Sequence, residues 1–166
     1  MNYQDARSQI EDGDVIAVRT AHSLFGKLTQ FFTRKIYTHN GIAVWLDEGL
    51  WMVEINGGKN HAIPMSQLEG DDFDVFLPPQ ELTRSNIRKA ALESLRVKVK
   101  YGLAAAFMIG LLGLLKLKTF VHWRKIIVCS GYCVAIYEEA GWQEHSRIIS
   151  PGELADLLRL KLEIRA

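Results

Sequence analysis

The run Tyr37-Thr38-His39-Asn40-Gly41-Ile42-Ala43-Val44 and the run Leu50-Trp51-Met52-Val53-Glu54-Ile55 flank Asp47-Glu48-Gly49. β-Branched and aromatic residues on both sides of a turn commit the middle of the chain to an antiparallel hairpin. The first strand opens with a histidine, and the second carries one carboxylate in an otherwise apolar run. With a two-residue loop, Asp47-Glu48, His39 lies opposite Asn56, and Glu54 falls on the same sheet face one diagonal step away. There Glu54 can orient the imidazole and stabilise its charged form. A register slip of one residue would send Glu54 to the other face, which leaves Asn56 as the fallback orienter.

A paired imidazole serves a nucleophile, and the chain offers one downstream. Ile126-Ile127-Val128 reads as a short buried strand or tight entry segment, and Tyr132–Ala140 as a helix closed by Gly141. Cys129 therefore falls at a helix mouth, where unpaired N–H groups and the positive end of the dipole favour the thiolate. The other reading of such a cysteine is a small buried apolar residue. Cys133, one turn on, is expected to be a buried neighbour: the two thiols are too close on one helix to bridge and lack the further Cys or His spacing of a zinc site.

Gly13-Asp14-Val15-Ile16, Leu24 with Phe31-Phe32-Thr33, Tyr37-Thr38-His39-Asn40-Gly41-Ile42, Val53-Glu54, Pro64-Met65-Ser66, Cys129-Ser130-Gly131 and Ser150-Pro151-Gly152-Glu153-Leu154, taken in that order, resemble the circularly permuted NlpC/P60, or papain-like, hydrolases of the YiiX/YebB type. The resemblance spans most of the chain except about residues 80–124 and the last few. It implies the order histidine, acid, cysteine, with Cys129 as nucleophile, His39 as base and Glu54 as third member. Triads are defined by role, so an order inverted relative to papain is no obstacle. Relatives often continue the Cys-Ser pair with Glu-Leu-Val, whereas this chain has Gly131-Tyr132-Cys133, a change expected to affect packing or substrate shape. The resemblance further implies an α+β fold in which an antiparallel sheet packs against the cysteine helix, and acyl transfer to an amide or ester without metal or organic cofactor. It covers peptidoglycan peptide amidases as well as relatives that act on lipid acyl groups, and a papain-like binding protein without turnover is the reading from another class.

The 166 residues suit one domain, and 48% hydrophobic with 23% charged residues is ordinary for a globular enzyme. The N-terminal residues lack an apolar signal core, so a cytoplasmic location is expected, with membrane association as the variant. A net charge of +1 conceals an asymmetry: ten Lys/Arg between Arg84 and Lys125 face only Glu93, a net of +9 that leaves −8 elsewhere. Residues 83–125 read as a basic and apolar helical insert. Its basic residues suit an anionic membrane or cell-wall surface, or else form a solvated helix face; nucleic acid is not the expected partner. Within it, residues 102–115 are uncharged but short of the roughly 20 a membrane span needs. They form either a buried core helix or an interfacial lid.

The remaining pattern predicts a short helix over Tyr3–Glu11, a strand Val15–Val18, and a helix from Ser23 whose Leu28, Phe31 and Phe32 join the core. It then predicts a strand at His61-Ala62-Ile63, a helical turn at Pro64–Leu68, a strand Phe73–Leu77 stopped by Pro78-Pro79, and an amphipathic helix from Thr83 or Ser85. After Ser150-Pro151 a terminal helix is expected to carry Leu154, Leu157, Leu158 and Leu162 at packing positions. The glycine-rich residues 56–60 lack a phosphate-loop Lys-Ser pattern and read as a hairpin turn. His61, with no acid nearby in sequence, ranks below His39 as a base, and His22 reads as loop.

Overall fold

The computed structural model describes residues 1–21, 24–47, 49–56, 59–97, 128–143 and 150–166. The apolar stretch 102–115, Ile126-Ile127, His22 and most of the basic insert lie outside them. The chain is mixed α+β, and its described residues hold six strands: β1 (Val15–Val18), β2 (His39–Leu46), β3 (Gly49–Asn56), β4 (Lys59–Pro64), β5 (Phe73–Leu77) and β6 (Arg159–Ile164). They form one sheet in the order β4-β3-β2-β1-β5-β6, with every pairing antiparallel. Among the described residues the α-helices are α1 (Tyr3–Ala6), α2 (Leu24–Thr33), α3 (Arg84–Ser94), α4 (Cys129–Glu139) and α5 (Pro151–Leu157).

Strand alternation splits the core in two. Val15 and Ala17 of β1, with Ile42, Val44, Val53 and Ile55, join Ile87 and Ala91 of α3, Tyr132 and Ile136 of α4, and Leu154 of α5. Ile16 and Val18 alternate with them, joining Ala43, Met52, Phe73 and Val75 to Tyr3, Ala6 and the 3-10 turn Met65–Leu68. β1 is thus buried along its whole length because both faces are covered.

The helix ends follow local chemistry. Thr83 caps α3 by accepting from the Asn86 N–H, and Ser150 with Glu153 forms a reciprocal capping box on α5, an arrangement that contributes about 1 kcal/mol. At the end of α4, Gly141 adopts φ +110°. That left-handed residue lets the Gly141 N–H reach the Glu138 carbonyl and the Trp142 N–H reach that of Tyr137. The Trp142 ring then meets Tyr137 edge-on at 5.8 Å.

Two expectations are corrected. The terminal helix stops at Leu157, and the next residues form β6, which pairs Val75 with Leu162 and Phe73 with Ile164. Leu157 itself is exposed. Arg159-Leu160-Lys161-Leu162-Glu163-Ile164 alternates charged and apolar residues, and that period of two outweighs the helical spacing of the leucines. On α2, Leu28 is 40% and Phe31 69% exposed, so neither belongs to the core. In the basic segment, Arg84 and Arg88 make contacts within the fold. Arg84 pairs with Glu11 and the buried Asp14, and Arg88 donates to the Trp45 carbonyl and pairs with Asp12.

Candidate active site

The β2–β3 hairpin sets the site. Leu46 pairs with Gly49, so the loop is Asp47-Glu48, and the ladder runs in that register to Gly41–Glu54. There it ends, although β2 begins at His39 and β3 continues to Asn56 in its pairing with β4. His39 is therefore not laddered against Asn56 as expected. The strands can approach this closely because residue 41 is glycine: a Cβ there would lie 3.0 Å from the Val53 carbonyl oxygen and run into the Met52 side chain.

α4 packs on β2 and β3 and presents Cys129 as its first residue. Val128, the preceding cap residue, offers no side-chain acceptor, so the first N–H groups of the helix remain to be satisfied by something else. The Asn40 and Ser130 N–H groups donate to the Cys129 sulfur, and the His39 ring is its side-chain partner. His39 Nε2 is 2.6 Å from Glu54 Oε2, which leaves Nδ1 as the nitrogen available to the thiol. The Glu54 side chain is 3% exposed.

The charges follow from these contacts. Burial alone would push the Cys129 thiol up, but the His39 imidazolium and the two N–H donors bring it below its ordinary range. Burial likewise disfavours a charged His39, yet the Cys129 sulfur and the Glu54 carboxylate reverse this and raise the imidazole to about 10. Glu54 would also be raised by burial; its bond to His39, the charges of His39 and His61 and a hydrogen bond from Asn56 lower it instead. Cys133, one turn deeper, has no such partner. Burial and the neighbouring Cys129 and Glu54 charges hold its thiol well above the usual range. Both cysteines are free.

Cys129, His39 and Glu54 thus converge, and Asn56 meets Glu54 rather than the imidazole. His61, ranked low for want of an acid nearby in sequence, has one after all: its Nε2 lies 3.0 Å from Glu54 Oε1. A count across the second hairpin finds the pair, because with two residues between Asn56 and its partner Lys59, Glu54 stands directly opposite His61. The Asn40 side chain is also unforeseen. It is fully buried beside the thiol with neither amide atom hydrogen-bonded, a cost of about 1–3 kcal/mol of the kind proteins carry at functional sites.

Among the described residues no three His, Cys, Asp or Glu side chains are placed to hold a metal ion; His39 and His61 address different oxygens of Glu54. No helix among them is long and apolar enough to cross a membrane. No protein-family model matches the chain, and comparison with curated proteins finds no match. Chemically, a thiolate beside an imidazolium whose far nitrogen is held by a buried carboxylate supplies a nucleophile and a proton donor.

Proposed function

We propose that the chain is a cysteine hydrolase or acyltransferase of the permuted NlpC/P60, papain-like type, which cleaves an amide or ester bond through Cys129, His39 and Glu54. The observation that carries this reading is the 2.6 Å bond from His39 to the buried Glu54, together with a Cys129 thiol that shares the same imidazole. The Cys129 thiolate adds to the substrate carbonyl, and the N–H of Cys129 at the helix mouth receives the developing oxyanion. As the intermediate collapses, His39 gives its proton to the leaving amine or alcohol. It then takes a proton from the water or acceptor that attacks the acyl-enzyme, and the thiolate departs. A peptide amide of a cell-wall polymer is the favoured substrate class.

Cys129→Ala should abolish turnover of such a peptide while circular dichroism and melting remain those of the parent, because alanine replaces a small thiol at a helix end. His39→Ala should lose nearly as much. Normal turnover by purified Cys129→Ala sinks the mechanism.

Exposure of Leu28, Phe31 and Ile36 on and just after α2 favours a second reading, a lipid acyl substrate. These residues lie shortly before His39 in the chain, and the basic segment suits an anionic interface. On that reading the protein co-sediments with anionic vesicles, less so in high salt, and Phe31→Asp releases it with its fold intact. Equal recovery of the parent and Phe31→Asp in the supernatant returns the preference to a soluble peptide.

A further inference from the structure

The proposed mechanism uses one oxygen of Glu54. Its other oxygen, Oε1, receives Nε2 of His61 at 3.0 Å, while Nδ1 of the same ring faces the Lys59 carbonyl oxygen at 3.2 Å. A carboxylate and a carbonyl oxygen can only accept, so each contact is a hydrogen bond only when the facing ring nitrogen carries a proton. Both exist together in the imidazolium alone; a neutral His61 must release one. The three side chains differ in access. Glu54 is 3% exposed and His39 19%, but His61 is 38% exposed, so among these three it is the member that meets solvent most freely.

We infer that His61 is a positioning residue of this site: its Nε2 holds Glu54 Oε1, which presents Oε2 to His39. The inference rests on the proposed Cys129–His39–Glu54 mechanism and adds to it a more exposed histidine that fixes the buried carboxylate from its other side. Among the described residues, Glu54 of β3 faces His61, with His39 of β2 and Cys129 of α4 beyond it. Asn56 also donates to Glu54, so the carboxylate keeps one neutral donor when the His61 contact is lost. Loss of that contact therefore loosens the carboxylate without freeing it.

Two readouts that need no knowledge of the natural substrate test this: the rate of Cys129 alkylation by iodoacetamide from acid to alkaline pH, and hydrolysis of p-nitrophenyl acetate. His61→Ala should slow both about tenfold near neutrality, with the loss in kcat rather than KM, because the orientation of His39 is affected and not substrate binding. His61→Gln retains an N–H that can reach Oε1 and should recover most of the rate. Should His61→Ala fail to fold, His61→Phe, which fills the space but cannot donate, takes its place beside His61→Gln. Parent-like rates in the variant that lacks the donor would overturn the role of His61 while leaving the triad standing. A parent Cys129 that alkylates no faster than a free thiol would instead overturn the proposed mechanism itself.

Discussion

Two cysteines one helical turn apart take opposite protonation states for reasons visible in their surroundings. Cys129 has the helix mouth, two backbone donors and an imidazolium; Cys133 has burial and two neighbouring negative charges. Near neutral pH iodoacetamide should therefore modify a single thiol, mapped by mass spectrometry to Cys129, with Cys133 reacting only after unfolding. The proposed hydrolysis needs the Cys129 thiolate and a protonated His39 together. Because Cys129 is lowered, turnover should already be high below the ordinary thiol range; because His39 is raised to about 10, it should fall as the pH rises through about 10. Alkylation uses the thiolate alone and should not fall there. Parallel decline of both rates above pH 10 would show that His39 does not act as the acid. That Cys129 and His39 belong together was legible in sequence, since a thiol at a helix mouth is primed to ionise and an imidazole at the head of an apolar strand is placed to receive its proton. His61 was not, because its acid partner is seven residues back and becomes a neighbour only across a ladder.

At the scale of elements, the site depends on two strands that run together as far as Gly41–Glu54 and then part. Gly41→Ala would force a methyl group against Met52 and the Val53 carbonyl, which displaces β2 from β3 beside Glu54. The expected result is a destabilisation of about 1–3 kcal/mol in urea denaturation, with a larger proportional loss of turnover than of stability. Unchanged melting and activity would show that the strands separate freely at this point. The hairpin register was readable because the turn is short and its length countable. The end of the chain was misread for a related reason. Leu154, Leu157, Leu158 and Leu162 satisfy a helical spacing, but β6 has an edge strand, β5, on which to pair, and only the assembled sheet supplies that edge.

Across the whole molecule, buried carboxylates tie distant segments together. Asp74 of β5, fully buried, accepts from Arg19 Nε at 2.8 Å, Tyr37 Oη at 2.5 Å and Arg165 Nη1 at 2.9 Å. It thereby fastens the exit of β1, the approach to His39 and the C-terminal residues to one point. Burial and the Asp74 charge push the Tyr37 hydroxyl up to about 12, so it stays a donor throughout the working range. Asp74→Asn keeps the shape but weakens three charge-assisted bonds, and should cost on the order of 2–3 kcal/mol. Chemical denaturation measures this directly, and a loss below about 0.5 kcal/mol would mean the cluster is ornamental to stability. Asp14 does similar service, pairing Arg84 of α3 with Lys161 of β6.

Local pattern alone determined the hairpin and the place of Cys129 at a helix mouth, because each depends on neighbours within a few residues or on a turn of countable length. Tertiary structure alone decided the rest. The place of β6 depends on which strand edge is left open, and the exposure of Phe31 on what happens to cover α2. The partners of Glu54 depend on two ladders meeting on one strand. The ionisation of Cys129 and His39 depends on burial and charge acting together at a distance of about 90 residues along the chain, a quantity that no window of sequence contains.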